Sequence, residues 1–357
     1  MKPLRIFLIA LLLLPVVANA QEGGTTIQGR STEEQETVRA VDTGPLLDFR
    51  EEIRKFLENI TKYARSQKRN FIVIPKGAPE LLTKLDDTDE TKSSPARSYM
   101  ESIDAVMIDG LNFGAKTLGV PTPPEKLDKL MSLARLAKKN RLNVMVLDHV
   151  SDATQAEQSY IQSEANGFTP FAANAMGEEM NSIPDFLKAP INENPKNILS
   201  LKDVKNFLYL GDTSGYGRQD EFALKMHSTN YDMIIVDVFH GREPLTRQAV
   251  ETLKYKKIGA KRLVLAYMDI GAAASYKYYW KENWREGSPS WNREPFRDNP
   301  DKYRVQYWRK PWQNIIFGDT NSYVYGLIAQ GFDGVVIEGL DAYKFFIGNL
   351  EDEEEDQ

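Results

Sequence analysis

The chain of 357 residues contains no cysteine and only three histidines. Without cysteine there are no disulfide staples, thiolate metal sites or thiol nucleophiles. Stability must come from a buried core, which this length can supply. His149, His227 and His240 show no HxH or HExxH spacing, which argues against a histidine-built metal centre. An excess of positive charge is also missing. Net charge is −6, with an unbroken acidic run at 351–356. Setting aside that tail and the early Lys2 and Arg5 leaves a nearly balanced body with no basic footprint for nucleic acid. Residues 350–357 read as a disordered, solubilising end.

Long apolar runs are scarce too, and the clearest one opens the chain. MKPLRIFLIALLLLPVVANAQ has two basic residues, an apolar stretch and Ala18-Asn19-Ala20 before Gln21. This is the pattern of a secretory signal peptide over 1–20, cut after Ala20. The stretch is shorter than the roughly 18–20 residues of a membrane span. Gln21 stands where a lipoprotein would have cysteine. The expectation is therefore a secreted or periplasmic protein with no stable membrane insertion after cleavage. Residues 21–43 are polar and lack apolar period, so they read as a flexible linker. Residues 44–349 remain as one domain.

In that domain short β-branched runs alternate with amphipathic segments. Strands are expected at 71–75, 105–108, 143–147, 168–172, 207–210, 233–238, 263–268 and 334–337. Helices are expected at 47–65, 124–139, 153–165, 219–228, 246–257 and 321–330. Near-continuous apolar strands interleaved with helices indicate a parallel sheet covered by helices. Eight of them in one domain favour an α/β fold of the (β/α)8 TIM-barrel type. Long connections at 174–203 and 281–318 each follow a strand, and so belong to the face where loops shape a cleft.

Acids stand at or near the strand ends: Asp109, Asp148, Asp212, Asp237, Asp269, and Glu338 with Asp341. Parallel strands would bring them to one open end. Converging carboxylates suit a glycosidase pair, a hard-metal cage, or other general acid–base work. Asp148 and Asp212 can instead cap the following helices. Aromatic residues crowd the adjacent segment, with Tyr276, Tyr278, Tyr279, Trp280, Trp284, Trp291, Tyr303, Tyr307, Trp308 and Trp312. Aromatic faces stack on the C–H faces of sugars, so part of this cluster is expected to wall a cleft and part to pack the loop down.

The strings VLAYMDIGAAASYKYYW, YRVQYWRKPWQNIIF and GFDGVVIEGLDAY, in this order, resemble glycoside hydrolase family 114, which includes endo-α-1,4-polygalactosaminidases. FIVIPKG, AVMIDGLNFG, VMVLDHVSD and GFTPFAAN resemble family strands that ordinarily come later in the chain. The resemblance therefore implies a single-domain (β/α)8 barrel that is circularly permuted.

It further implies an exported glycoside hydrolase acting on an α-linked amino-sugar polysaccharide of galactosamine type. The family nucleophile falls on Glu338 and the family acid/base on Asp109, so the two acid types are exchanged. A family Glu falls on Ala274 and a family Arg on Lys277. Glu338 would attack or position water, and Asp109 would protonate the leaving oxygen. Asp269, Asp341, Asp237, Asp148, Tyr267, Tyr276 and Trp280 would contact substrate, with neither metal nor cofactor required. The alternative is a non-catalytic polysaccharide-binding barrel used in exopolysaccharide handling. Oligomeric state is left open.

Overall fold

The computed structural model describes residues 47–85, 92–186 and 188–348. The leader at 1–20, the linker at 21–43 and the acidic tail at 350–357 lie outside the described residues. All eight expected strand runs are strands: β1 Ile72–Pro75, β2 Ala105–Asp109, β3 Asn143–His149, β4 Thr169–Ala173, β5 Phe207–Tyr209, β6 Met233–Asp237, β7 Leu263–Asp269 and β8 Gly334–Glu338. Their apolar residues are buried almost without alternation, as strands covered on both faces require.

All pairings among these eight are parallel. They form a sheet of five in the order β1-β8-β7-β6-β5 and a sheet of three in the order β2-β3-β4. The two meet at β1 and β2 through a parallel bridge between Lys76 and Met107 and a hydrogen bond from Asp104 N to Val73 O (3.0 Å). At the other margin the Phe171 ring of β4 lies 5.5 Å from the Phe207 ring of β5. The fold is thus α/β with parallel sheets. Strand pairing among the described residues does not by itself run through a closed ring of eight.

The helices cover the sheets for the reasons their sequences suggest. Phe49–Gln67 starts at Asp48, whose carboxylate accepts from Glu51 N, and buries Ile53, Phe56, Leu57, Ile60 and Ala64 along one face. That is the i, i+3, i+4, i+7 stripe of an amphipathic helix. Pro124–Lys139 and Ala153–Ala165 begin and end where their periodicity does. The expected helix at 246–257 ends early, at Leu253, because the following segment forms a turn whose Lys256 points inward.

The segment after β7 departs most from expectation. Instead of an open loop, Ala272–Ala274, Asn292–Pro295 and Lys302–Val305 form a three-stranded antiparallel sheet, followed by the helix Lys310–Ile316. Trp291, Tyr307 and Trp312 are buried beneath it. Trp312 Nε1 donates to Ile270 O (2.9 Å) and the Tyr307 hydroxyl to Phe49 O (2.7 Å). Much of the aromatic cluster is therefore a small core that fastens the insertion to the domain.

Lys256 and Asp232 form a fully buried ion pair at 2.6 Å. The same ammonium donates to the carbonyls of Asn194 (3.1 Å) and Lys196 (3.2 Å). The Asp232 carboxylate accepts from Asn194 Nδ2 and from Lys205 N. Removing one partner strands the other charge in the interior. Lys256→Met should therefore cost about 3–5 kcal/mol in urea unfolding, and the double change with Asp232→Asn should cost less.

Candidate functional site

Register brings the functional side chains to one level. Asp269 of β7 pairs with Glu338 of β8, and Tyr267 with Asp237 of β6. Pro75 of β1 pairs with Ile337, and the next residue, Lys76, donates its backbone N–H to Ile337 O (2.8 Å). Carboxyl ends of parallel strands are where open α/β sheets place their sites.

Lys76 lies at the centre. Its ammonium is 2.8 Å from Asp109 Oδ2 and 3.0 Å from Glu338 Oε1, and 5.4 Å from the centre of the Tyr209 ring. Burial alone would lower the ammonium's pKa, but the Glu338 and Asp109 carboxylates outweigh it and hold the value well above that of a free lysine. The lysine is therefore a fixed cation rather than a nucleophile.

Asp109 is clamped from its other side by His149, whose Nε2 is 2.6 Å from Asp109 Oδ1, while Nδ1 is 2.7 Å from Ala175 O. A carbonyl only accepts, so Nδ1 carries a proton. An ionised carboxylate also only accepts, so Nε2 carries one as well, and the ring is an imidazolium. Burial pulls the His149 pKa down, yet the bond and charge of Asp109 raise it overall. Burial likewise pushes Asp109 up, but Lys76 and His149 hold it well below the usual carboxylate range.

Glu338 accepts on Oε1 from both Lys76 and the Tyr209 hydroxyl, and no described residue donates to Oε2. Burial and the Glu338 charge push the Tyr209 phenol well up, so it stays a donor. Beside it, Asp269 accepts from Gly271 N (2.8 Å), Ala272 N (3.1 Å) and Lys302 Nζ (2.7 Å). Glycine is needed on both sides of this contact. A Cβ at Gly339, where φ is +73°, would lie 2.1 Å from Asp269 Oδ1, and one at Gly271 would lie 2.2 Å from Gly339 O. The fourth carboxylate, Asp237, binds Lys277 Nζ (3.0 Å) and lies 3.2 Å from the Tyr267 hydroxyl, whose nearer acceptor is Gly211 O (2.5 Å).

Two cavities open on this cluster. The first, about 330 Å³, is lined by Glu338, Asp269 and Asp237 together with Tyr209, Tyr267, Tyr276, Tyr279, Phe239 and Tyr323. The second, about 240 Å³, shares Asp269, Lys302 and Glu338 with it and adds Phe296, Arg304, Asp341 and Phe345. Glu338 thus faces both.

Of the residues singled out in the sequence, Glu338, Asp269, Asp237, Tyr267 and Tyr276 line the first cavity, and Asp341 the second. Asp109 lines neither, but is held to Glu338 through Lys76. Two expectations are corrected. Asp148 is fully buried and accepts from Asn112 N, Asn112 Nδ2, Phe113 N and Ser159 Oγ, so it organises the loop after β2 and cannot touch a ligand. Trp280 packs on Tyr303 (5.0 Å) and Trp284 (5.5 Å) and lines neither cavity. Asp212 lines the first cavity and closes a local turn by accepting from Ser214 N and Oγ, but it caps no helix, since the helix that follows is capped at Arg218.

Sequence reasoning missed the cations Lys76 and Lys302 and the phenol of Tyr209. The signal for Lys76 was present: it is the first residue beyond an apolar strand, the same position that marked the acids. Among the described residues no group of three or more histidines and acids is arranged to hold a metal ion. Lysines, rather than vacant coordination sites, face the carboxylates. No helix among the described residues is long and apolar enough to cross a membrane.

No family model matches the chain. Similar segments occur in uncharacterized proteins of Deinococcus radiodurans (34% identical over 133 residues, 37% of this chain and 39% of that protein) and Methanocaldococcus jannaschii (30% over 163 residues, 45% and 44%). A third is an uncharacterized protein of Thermotoga maritima (28% over 131 residues, 37% and 39%). The chain spans about two fifths of the length of these curated relatives.

The His149–Asp109 pair gives a signed pH dependence. A histidine whose folded pKa is raised stabilises the fold fully below its unfolded value, about 6.5, and the contribution is lost as pH rises through the folded value. Urea unfolding at about pH 5, 7 and 9 should show wild-type stability falling along that rise. Asp109→Asn should flatten this slope.

Proposed function

We propose that this chain is an exported glycoside hydrolase-like protein acting on an α-linked amino-sugar polymer, of the type handled by glycoside hydrolase family 114. We propose too that its eight parallel strands close into a (β/α)8 barrel. The chain-order sequence of strands through both sheets, the Lys76–Met107 bridge and the Phe171–Phe207 contact support that closure. Such a barrel would be a circular permutant of the family order.

The observation that carries the enzymatic reading is Glu338. It is fixed on one oxygen by Tyr209 and Lys76, keeps the other free of described donors, and faces two adjoining cavities walled by aromatic rings. Glu338 would attack the anomeric carbon or position the attacking water. The proton for the leaving oxygen is reassigned. Asp109 is held as a carboxylate by Lys76 and His149, so it makes a poor donor. Asp341 shares the second cavity with Glu338. Burial pushes its carboxyl upward and the Asp269 and Glu80 charges add to this, although Lys344 opposes them. A carboxyl pushed toward its neutral form, in the same cavity as Glu338, is suited to the acid's part in such a reaction. The scissile bond would lie over Glu338, with one sugar in each cavity.

The alternative is binding without cleavage, and Lys76 favours it. The ammonium fills the gap between Asp109 and Glu338, where the family pair would have to hold substrate. The two readings divide on one assay. Wild-type protein incubated with partially deacetylated galactosamine polymer should release oligosaccharides, and Glu338→Gln should lower that rate by about 10²–10⁴-fold with binding retained. Binding by the wild type without release would leave the non-catalytic reading.

A further inference from the structure

The second cavity holds a cation that the proposed reaction does not use. Arg304 lies on the antiparallel strand Lys302–Val305, in register with Ala272. Residues two apart on a strand share a face, so Lys302 and Arg304 both reach the cavity. Lys302 is paired with Asp269. Arg304 is held differently: its guanidinium carbon lies 4.3 Å from the centre of the Phe296 ring and 4.4 Å from that of Phe345. No described residue accepts a hydrogen bond from its N–H groups.

A guanidinium is a planar fork of five donors that matches a carboxylate two bonds at a time. Aromatic rings can cover its faces but cannot satisfy its edge. A half-buried guanidinium positioned by two rings, with its donors paired to no described residue in a cavity shared with Glu338, has the form of a preorganised anion-binding group. Resting on the carbohydrate reading of Glu338, we propose that the second cavity is a subsite for an acidic sugar unit, with Arg304 binding its carboxylate. The polymer handled would then carry an acidic unit next to the unit held in the first cavity. Three carboxylates line the same cavity and oppose an anion, but Asp269 is paired with Lys302, Glu338 with Lys76, and the surroundings of Asp341 push it toward the neutral form.

The test is isothermal titration of the full chain carrying Glu338→Gln, which prevents turnover. The probes are a galacturonic acid oligosaccharide, a neutral galactose oligosaccharide and inorganic phosphate. The acidic oligosaccharide should bind more tightly than the neutral one. Adding Arg304→Gln should weaken the acidic ligand by about 10- to 100-fold and leave the neutral one unchanged. Arg304→Lys, which keeps the charge without the fork, should restore only part of the loss.

Equal affinity for both oligosaccharides, or no loss in Arg304→Gln, would overturn the proposal. Equal losses for both ligands would do the same by making Arg304 a structural staple. Phosphate binding as tightly as the acidic oligosaccharide would also overturn it, by making the cavity a general anion pocket. Hydrolysis of galactosamine polymer by the wild type is measured separately. Its failure would remove the enzymatic reading while an Arg304-dependent preference for the acidic sugar still stood.

Discussion

The Lys76 ammonium is the contact on which the candidate site depends. It joins the two sheets electrostatically, with Asp109 from the three-stranded sheet on one side and Glu338 from the five-stranded sheet on the other. An isolated buried ammonium or carboxylate is expensive, and mutual pairing offsets that cost at the strand ends. The consequences spread outward. Asp109, held as an anion, makes His149 an imidazolium. Glu338, fixed on one oxygen, is left with the other for a ligand. The same lysine that assembles the pair also disqualifies Asp109 as a proton donor.

Around that centre, ordinary packing sets precision. The glycines at 271 and 339 let two strand-end backbones touch, which tucks the Asp269 carboxylate between them beside Glu338. The tryptophan-rich insertion adds rigidity more than contact surface. Its buried rings hold down the antiparallel sheet from which Lys302 and Arg304 reach the cavities. Tyr267 and Tyr276, both expected at the site, and Tyr279 of the aromatic cluster supply the wall, while the tryptophans supply the packing.

Strand positions were legible because each strand is a short apolar run with a polar break on both sides, a signal that survives without tertiary information. The convergence of Asp237, Asp269 and Glu338 followed from parallel direction alone. Other features were not legible for identifiable reasons. Whether a strand-end acid points into the cavity or back into the loops depends on local hydrogen bonds, so Asp148, saturated by four donors, looked the same in sequence as Asp237. Half-buried Trp280 and fully packed Trp291 are likewise alike in sequence, and neither lines the two cavities. Lys76 is illegible for a further reason: a lysine at a strand end ordinarily reaches solvent, and only the carboxylates folded against it make it part of the site.

The Lys256–Asp232 pair also divides the connection that borders the site into two unlike halves. The connection after β4 is long enough to be taken for a lid, yet the buried ammonium holds two of its carbonyls, at Asn194 and Lys196, and Asp232 holds Asn194 and Lys205. Swinging that half of the connection outward would expose or strand a charge in the interior. The far half of the connection is thus tied into the interior of the domain, while Gly177 and Met180 of its near half border the first cavity.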